Sequence, residues 1–532
     1  MQKPADDTGK IARSAGTVSI AVMCSRLLGL VREQVFAVMF GAGYAFDAFV
    51  VAFRIPNLLR DLFGEGALSA AFVAVFSDYD ATKGEKATWR LANNVLVFFA
   101  VLLSLLTLLG IFFSDPLVRL LVEADFESVP GKVELTRLLT VIMFPFLVFI
   151  SLSSVVMGVL NTKGRFFIPA LASSFFNLGS IVGGVALALL LPRFGYPAIV
   201  GMAVGTLIGG LLQLGMQLPT LFRAGFSFKP ALDLTDPGLK RIFRLMVPAI
   251  IGLAPLQINV LVNTYFASSL EQGSLSWLNY AFRLFWFPVG VFGVALSTAT
   301  MPVISRYAAL KDLKSIRETF SSSLTMTFCL TIPASAGLII LAEPIIRLIF
   351  QYGKFDAYTT LKTSEALIFY AIGLFSYSAV KIMVPVFYAL DDTRFPVIGS
   401  FLTMAVNVLV IYLTVGTMQH KALAFSISCA MTVNFCFLST ALFRKLSGFP
   451  LLYIFVGFLK VMAATVAMGC WLLAVNAGMN SLFPEGRFWD FFILGVSIVS
   501  SGLVYGLMLV WLKLQEATLL WGKIRLRLAG SF

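Results

Sequence analysis

The sequence is poor in charged residues and in the side chains of metal and nucleophilic chemistry. Of its 532 residues only 13% are charged and 59% are hydrophobic, whereas about 25% of the residues of a soluble domain are charged. The only histidine is His420, and the five cysteines form no CxxC pair. We therefore expect no metal site, no histidine-based catalytic triad and no cofactor. A Walker-type GxxxxGK(S/T) motif is also missing from the sequence, so ATP is not expected to drive the protein directly.

The sequence is instead rich in long apolar segments, and its mean hydropathy is +0.90. Such a chain cannot cover itself with polar surface, so we predict an all-α polytopic membrane protein with about fourteen transmembrane helices of roughly 20 residues each. Two six-helix lobes and two further C-terminal helices would account for them. The predicted segments are a cytoplasmic N-terminus 1–14, an N-lobe 15–222, a cytoplasmic linker 223–240, a C-lobe 241–446, a final helix pair 447–513 and a cytoplasmic C-terminus 514–532.

The net charge of +13 could suggest a nucleic-acid partner, but no basic stripe with interleaved aromatic residues stands out. Lys and Arg instead gather at the N-terminus and in alternate loops, which is the bias of cytoplasmic loops. The first apolar segment exceeds the core of a signal peptide and lacks a small-residue cleavage site. We predict a retained first helix, with both termini in the cytoplasm and no nucleic-acid partner.

A faint internal repeat supports two related lobes. The run LNTKGR at 160–165, with Pro169 and Asn177 after it, is echoed by LDDTR at 390–394, with Pro396 and Asn407 after it. The offset is about 230 residues, so the fourth-to-fifth and tenth-to-eleventh connections correspond. Transporters built from two related bundles place their substrate between them, near the midplane of the membrane.

Charged residues interrupt the first two predicted helices and the eighth. A charge near the bilayer centre costs about 2.5–3.5 kcal/mol even on lenient insertion scales, so these groups must face water, one another or a bound ion. Guanidinium is well shaped for bidentate contact with phosphate, and a bound anion fits the excess of basic groups. The candidate substrate-binding residues are Ser25, Arg26, Arg32, Asp47, Arg54, Arg60, Glu65 and Arg283.

The spacing of these residues indicates a shared site. Ser25 and Arg32 are seven residues apart, and so lie on nearly one face of a helix. Pro56, Gly64 and Gly66 predict a kink in the second helix. The alternative is an internal salt-bridge network that only fastens helices together, and it applies most to Arg54 and to Asp61.

Other polar residues in the apolar segments leave their roles open. Lys381 fits either a second-half cavity or a side chain that snorkels to the headgroups. Asn407 fits hydrogen bonding between helices.

The candidate residues stand in motifs that resemble one known family. The runs SRLLGLVR (25–32), FGAG (40–43), DAF (47–49), PNLLR (56–60) and EGA (65–67), and later FFIP (166–169), VPAI (247–250) and FQYGKF (350–355), are together similar to the lipid II flippases, the MurJ (MviN) family. The resemblance runs from about residue 15 to residue 394.

This resemblance implies a fold of the multidrug/oligosaccharidyl-lipid/polysaccharide exporter type, in which two lobes enclose a central cationic cavity. It also implies arginines that bind the diphosphate and sugar-peptide head of lipid II, and a groove at 447–513 for its polyprenyl tail. The implied setting is the bacterial inner membrane, with lipid II and membrane lipids as partners. The implied carrier is a monomer that contacts the cell-wall synthesis machinery.

The chain departs from the family pattern at three positions. Phe282 stands where relatives often have an acidic residue, and Trp286 replaces another polar residue. Asn407 lacks an acidic neighbour one turn on, which argues against the sodium site described for some relatives.

Three other functions compete with lipid II export. A multidrug antiporter of the same superfamily would need acidic residues for cationic drugs, where this chain has arginines. A flippase for another polyprenyl-diphosphate-linked glycan would need the same arginines, and only the family motifs favour lipid II over such a substrate. A membrane scaffold or a lipid-synthesis enzyme fits less well, because the chain has intramembrane charges and no catalytic constellation.

Overall fold

The computed structural model describes residues 4–484, 486–516 and 518, and the regular secondary structure of that range is entirely helical. Two compact units, Met1–Ser276 and Trp277–Phe532, emerge from the packing of the helices. The predicted linker 223–240 lies inside the first unit, so the division into lobes at that linker stays a prediction. Of the predicted C-terminal tail, only residues 514–516 and 518 are described, and the side chains of residues 4–17 lie outside the described part.

The first helix of the first unit has 37 residues. The helices of this unit are α1 Pro4–Phe40, α2 Tyr44–Arg60, α3 Ala67–Thr82, α4 Glu85–Phe112, α5 Ser114–Leu121, α6 Ala124–Glu127, α7 Lys132–Met143, α8 Phe146–Thr162, α9 Phe167–Leu190, α10 Ala198–Gly215, α11 Leu218–Arg223 and α12 Pro237–Ser268. A short 3-10 segment, Leu191–Phe194, follows α9.

The helices of the second unit start with α13, whose first residues still belong to the first unit. They are α13 Ser274–Pro288, α14 Ala295–Ala309, α15 Leu313–Ile340, α16 Ala342–Phe350, α17 Ala357–Ile372, α18 Leu374–Ala389, α19 Arg394–Met418, α20 His420–Lys445, α21 Leu451–Leu482 and α22 Arg487–Trp511. The two units together give the predicted all-α polytopic fold.

Within the described residues, 11 helical segments are long and apolar enough to cross a membrane, or 12 if the bent pair α17 and α18 is one span. The bend in that pair is 45°. The count leaves out α1 and the run from α2 to α3, which are the two helical runs that carry most of the intramembrane charges. Adding both runs would give thirteen spans, or fourteen with the bent pair, and so the count is compatible with the predicted number.

Two π-helical segments interrupt spanning helices at matching places. One is Asp61–Gly66, between α2 and α3, and the other is Val289–Val294, between α13 and α14. Their first residues, Asp61 and Val289, lie 228 positions apart, close to the offset of the sequence repeat. A side chain at Gly66 would bring its Cβ to 2.3 Å from the Asp61 carbonyl oxygen, so the wide turn needs glycine. The predicted kink in the second helix is thus realised as a π segment.

Close helix approach in the first unit depends on small residues. A Cβ added at Gly205 on α10 would lie 2.5 Å from the Cα of Gly184 on α9. Backbones this close pack by van der Waals contact along small residues, as membrane helices commonly do. α9 in turn packs against α1.

The segment 223–240 is docked on α4 by two buried asparagines. Asn94 donates to the Asp233 carbonyl oxygen and accepts from the Asp233 amide, both at 2.8 Å. Asn93 donates to the Ser227 carbonyl oxygen at 2.9 Å and accepts from the Lys229 amide at 2.8 Å. These four bonds imitate the ladder of a β-sheet, so the linker is an ordered part of the first unit.

The Asp233 carboxylate adds a pH-dependent contact to this docking. Hydrogen bonds from the Thr235 side chain and amide, and then the nearby Arg90 guanidinium, hold the pKa of Asp233 below its usual value. A carboxyl with a depressed pKa stabilises the folded state above its unfolded pKa, and that contribution is lost as the pH falls through the folded pKa. The contact is therefore complete at neutral pH.

We predict that Asn94→Leu lowers the stability of the protein. Both backbone groups of Asp233 would lose their partner, and an unsatisfied buried polar group costs about 1–3 kcal/mol. Thermal unfolding in detergent, together with the rate of protease cleavage within 223–240, checks this. The matched control is Asn480→Leu at an exposed position. Equal unfolding temperatures and cleavage rates for Asn94→Leu and wild type would contradict the prediction.

Candidate anion-binding site

The first group of candidate residues lies on α1, which packs against α9. Asn177 of α9 donates through Nδ2 to the Ser25 carbonyl oxygen at 3.1 Å. The Arg32 guanidinium carbon lies 5.2 Å from the centre of the Phe176 ring. The Ser25 backbone and the Arg32 side chain thus both contact α9, whereas the Arg26 side chain is exposed. The site shared by Ser25 and Arg32 stays a prediction.

The Arg32 guanidinium is mostly enclosed, with 14% of its side chain exposed, and it pairs with the still more buried Glu33 at 2.9 Å. Glu33 is the next residue in the chain, so this ion pair does not join two helices. The adjacent carboxylate offsets part of the free-energy cost of burying the guanidinium charge.

The second group lies along α2 and the first π segment. The Arg60 Nε and Nη2 atoms donate to the Asp61 Oδ1 atom at 3.2 and 2.8 Å, and both side chains are partly exposed. Gln257 of α12 donates to the other Asp61 oxygen at 3.3 Å. Arg54 is half-buried one and a half turns earlier. The backbone of Glu65 belongs to the π segment, and its side chain lies outside the described part of the chain.

These contacts bear on the alternative of a purely structural network. The ion pairs of Arg32 and Arg60 join neighbours in sequence, and so neither pair in itself fastens one helix to another. The link between helices is made by Asp61 through Gln257. The arrangement leaves partly exposed guanidinium groups on one unit, which is the chemistry that a phosphate-bearing ligand requires.

Asp47 has a different setting from the arginines, since only 2% of its side chain is exposed. Its Oδ1 atom accepts from the Ser276 amide at 3.1 Å and from the Ser276 hydroxyl at 2.6 Å. Its Oδ2 atom accepts from the Gly273 amide at 2.8 Å and from the Lys132 ammonium at 3.4 Å. Both oxygens are thus engaged, and they join α2 to α7, to Gly273 in the loop before α13 and to the first turn of α13. Direct contact of Asp47 with substrate stays a prediction.

Lys132 was not singled out in the sequence. It follows Gly131 in a polar loop, and nothing in that loop marks it as buried. Its ammonium also lies 4.3 Å from the centre of the Phe126 ring. A charged residue at the start of an amphipathic helix is usually exposed, and the partner at Asp47 is 85 residues away.

In the second unit, Arg283 is exposed on α13, one turn before Trp286. Asn407 of α19 is buried and accepts from the Ser426 hydroxyl of α20 at 2.9 Å. Asn407 thus joins two helices of the second unit, in agreement with the packing role left open for it.

The fold and these residues define a class of protein. It is a multi-pass helical membrane transporter with guanidinium groups on its spanning helices. The family model "Lipid II flippase MurJ" matches residues 36–494, and the chain belongs to this family of inner-membrane proteins.

Individual relatives agree with that assignment. The chain is 36% identical over 472 residues to the probable lipid II flippase MurJ of Buchnera aphidicola subsp. Acyrthosiphon pisum, which covers 89% of this chain and 91% of the relative. It is 37% identical over 429 residues to the lipid II flippase MurJ of Burkholderia cenocepacia, which covers 79% and 82%.

Solved structures agree on the fold. Lipid II flippase MurJ in an inward closed conformation matches with a TM-score of 0.77 and 27% identity, over 93% of this chain and 99% of that one. An inward-facing multidrug resistance MATE family transporter of the MOP superfamily matches with a TM-score of 0.66 and 15% identity, over 82% and 98%. At that identity the second match shows the fold alone.

We predict that the two partners of the buried ion pair differ in their effect on stability. Asp47→Ala leaves the Lys132 ammonium and the donors of Gly273 and Ser276 buried without their acceptor, and breaking such a pair costs about 3–5 kcal/mol. Lys132→Met should cost less, because Asp47 keeps three hydrogen-bond donors. Thermal unfolding of the purified full-length variants in detergent measures both. A larger loss for Lys132→Met than for Asp47→Ala would refute this account.

Proposed function

We propose that this protein moves lipid II from the inner to the outer leaflet of the bacterial inner membrane by alternating access. The observation that carries the proposal is the set of guanidinium groups of Arg26, Arg32 and Arg60 on the first two spanning helices, in a chain that belongs to the lipid II flippase family. The diphosphate of the lipid binds these groups, while its polyprenyl tail stays in the membrane.

Electrostatics give the transport step its direction. In a low-dielectric surrounding, arginines brought near each other repel, and a bound diphosphate offsets part of that repulsion. Moving two negative charges outward across the membrane potential is worth roughly 4–5 kcal/mol per 100 mV. After release, the site has lost the two negative charges of the diphosphate and is drawn back toward the negative cytoplasm.

Several finer features belong to the same proposal. The protein works as a monomer with both termini in the cytoplasm, as the loop charges favour. It needs no catalytic site, because flipping breaks no covalent bond. The last helix pair, α21 and α22, is apolar and offers a surface for the polyprenyl tail, and contacts with the cell-wall synthesis machinery serve to hand the lipid on.

We predict that Arg26→Gln and Arg32→Gln each abolish or strongly reduce export. Loss of one charge-assisted contact to phosphate is worth about 1.5–3 kcal/mol, which is roughly tenfold to a hundredfold in binding. The measurement is lipid II on each leaflet of cells in which the variant is the sole flippase. Arg193→Gln, at an exposed position in the short segment after α9, is the matched control and should behave as wild type.

Two results would overturn the proposal. Export at the wild-type rate in both arginine variants would remove the role of the guanidinium groups. Depletion that leaves lipid II evenly partitioned while another polyprenyl-diphosphate-linked glycan accumulates on the inner leaflet would assign the chain to that substrate.

A further inference from the structure

The second unit contains an intramembrane lysine in an unusual setting. Lys381 lies on α18, and its ammonium is 5.6 Å from the centre of the Trp286 ring and 5.8 Å from that of Tyr377. The two rings are themselves 5.4 Å apart and nearly perpendicular. We call Lys381, Trp286 and Tyr377 the lysine box.

The lysine box holds a charge without neutralising it. Among the residues that the structure describes, no carboxylate forms an ion pair with Lys381 and no side chain or carbonyl accepts from its ammonium. Cation–π contact is worth about 0.5–2 kcal/mol and leaves the three N–H donors unused. The Lys381 residue is only partly buried.

The box is built on fixed backbone. The Ser297 hydroxyl of α14 donates to the Lys381 carbonyl oxygen at 2.8 Å, which ties α18 to α14. Phe282 packs against Trp286 with ring centres 5.9 Å apart, and Phe285 packs against Tyr377 at 5.6 Å. Both rings of the lysine box are therefore packed against further aromatic side chains, which limits the positions that the rings and the ammonium can take.

Snorkelling does not account for this geometry. A snorkelling lysine extends along its helix until its ammonium reaches polar headgroups, whereas the Lys381 side chain turns onto two rings of its own unit. Lys460 on α21 shows the contrast, because its ammonium donates to the Lys513 carbonyl oxygen at 3.2 Å. The Lys460 ammonium thus has a carbonyl acceptor, whereas the Lys381 ammonium lies against two aromatic rings.

We propose that the lysine box binds a carboxylate of the peptide part of the head group, an inference that rests on the proposed function. Diphosphate suits the planar guanidinium groups of the first unit, which offer paired donors. An ammonium is a compact point charge that suits a single carboxylate, and the faces of Trp286 and Tyr377 offer apolar contact to the peptide or sugar beside it.

The test compares three probes in nanodiscs with the full-length protein. They are undecaprenyl diphosphate, lipid II with its pentapeptide, and lipid II whose peptide carboxylates are amidated. Binding is measured by native mass spectrometry for wild type, Lys381→Met, Lys381→Arg and the matched control Lys460→Met. The unfolding temperature of each variant is measured in parallel, so that loss of binding is not confused with loss of fold.

We expect wild type to prefer lipid II over its amidated form, and Lys381→Met to lose that preference. The affinity of Lys381→Met for lipid II should fall about tenfold to a hundredfold, the worth of one charge-assisted contact. Its affinity for undecaprenyl diphosphate should stay unchanged. Lys381→Arg should restore part of the preference, and Lys460→Met should match wild type.

Three outcomes overturn the inference. Unchanged preference in Lys381→Met would show that the lysine makes no contact with the peptide. An equal loss for lipid II and undecaprenyl diphosphate would assign Lys381 to the diphosphate. A wild type that does not distinguish lipid II from its amidated form would exclude carboxylate recognition. Failure of wild type to bind any of the probes would instead refute the proposed function, and so the two failures are distinct.

Discussion

A guanidinium group in a membrane-spanning helix has to be solvated, and that constraint governs the rest of this structure. Because charge at bilayer depth is costly, each arginine needs water, a carboxylate or an anionic ligand close by. Arg32 and Arg60 each take the carboxylate that follows them in sequence. A partner on the same helix keeps the charge in place whatever neighbouring helices do. The site can therefore change its surroundings without leaving a bare charge.

The ion pair of Asp47 and Lys132, unlike those of Arg32 and Arg60, joins parts of the chain that are far apart in sequence. Both side chains are almost fully enclosed, and they are 85 residues apart in sequence. The Asp47 carboxylate also holds the Gly273 and Ser276 groups at the end of the first unit, so a single buried anion joins three segments. Separation of these segments would leave an unpaired charge on each side, and so the contact stabilises their packing against one another.

The sequence predicted the helical class, the approximate number of spans and the positions of the charged residues, because apolar length and charge within it are local features. It predicted that Ser25 and Arg32 share a face for the same reason. The burial of Lys132 and the docking of 223–240 by Asn93 and Asn94 depend on partners more than eighty residues away. No local pattern encodes such distances. The sequence did show that Trp286 departs from the family pattern, but only the structure places Lys381 against it.

The two π segments connect the repeat to function. π turns are rare and occur often at functional sites, and here each follows directly on a helix that carries a cation, Arg60 before Asp61–Gly66 and Arg283 before Val289–Val294. The side chains near this shared backbone feature differ between the two units. In the first unit Arg60 pairs with the carboxylate of Asp61, and in the second unit Lys381 lies against the rings of Trp286 and Tyr377. A shared backbone feature thus carries different side-chain chemistry in each unit, since the scaffold sets the position of the charge and the neighbouring side chains set its preference.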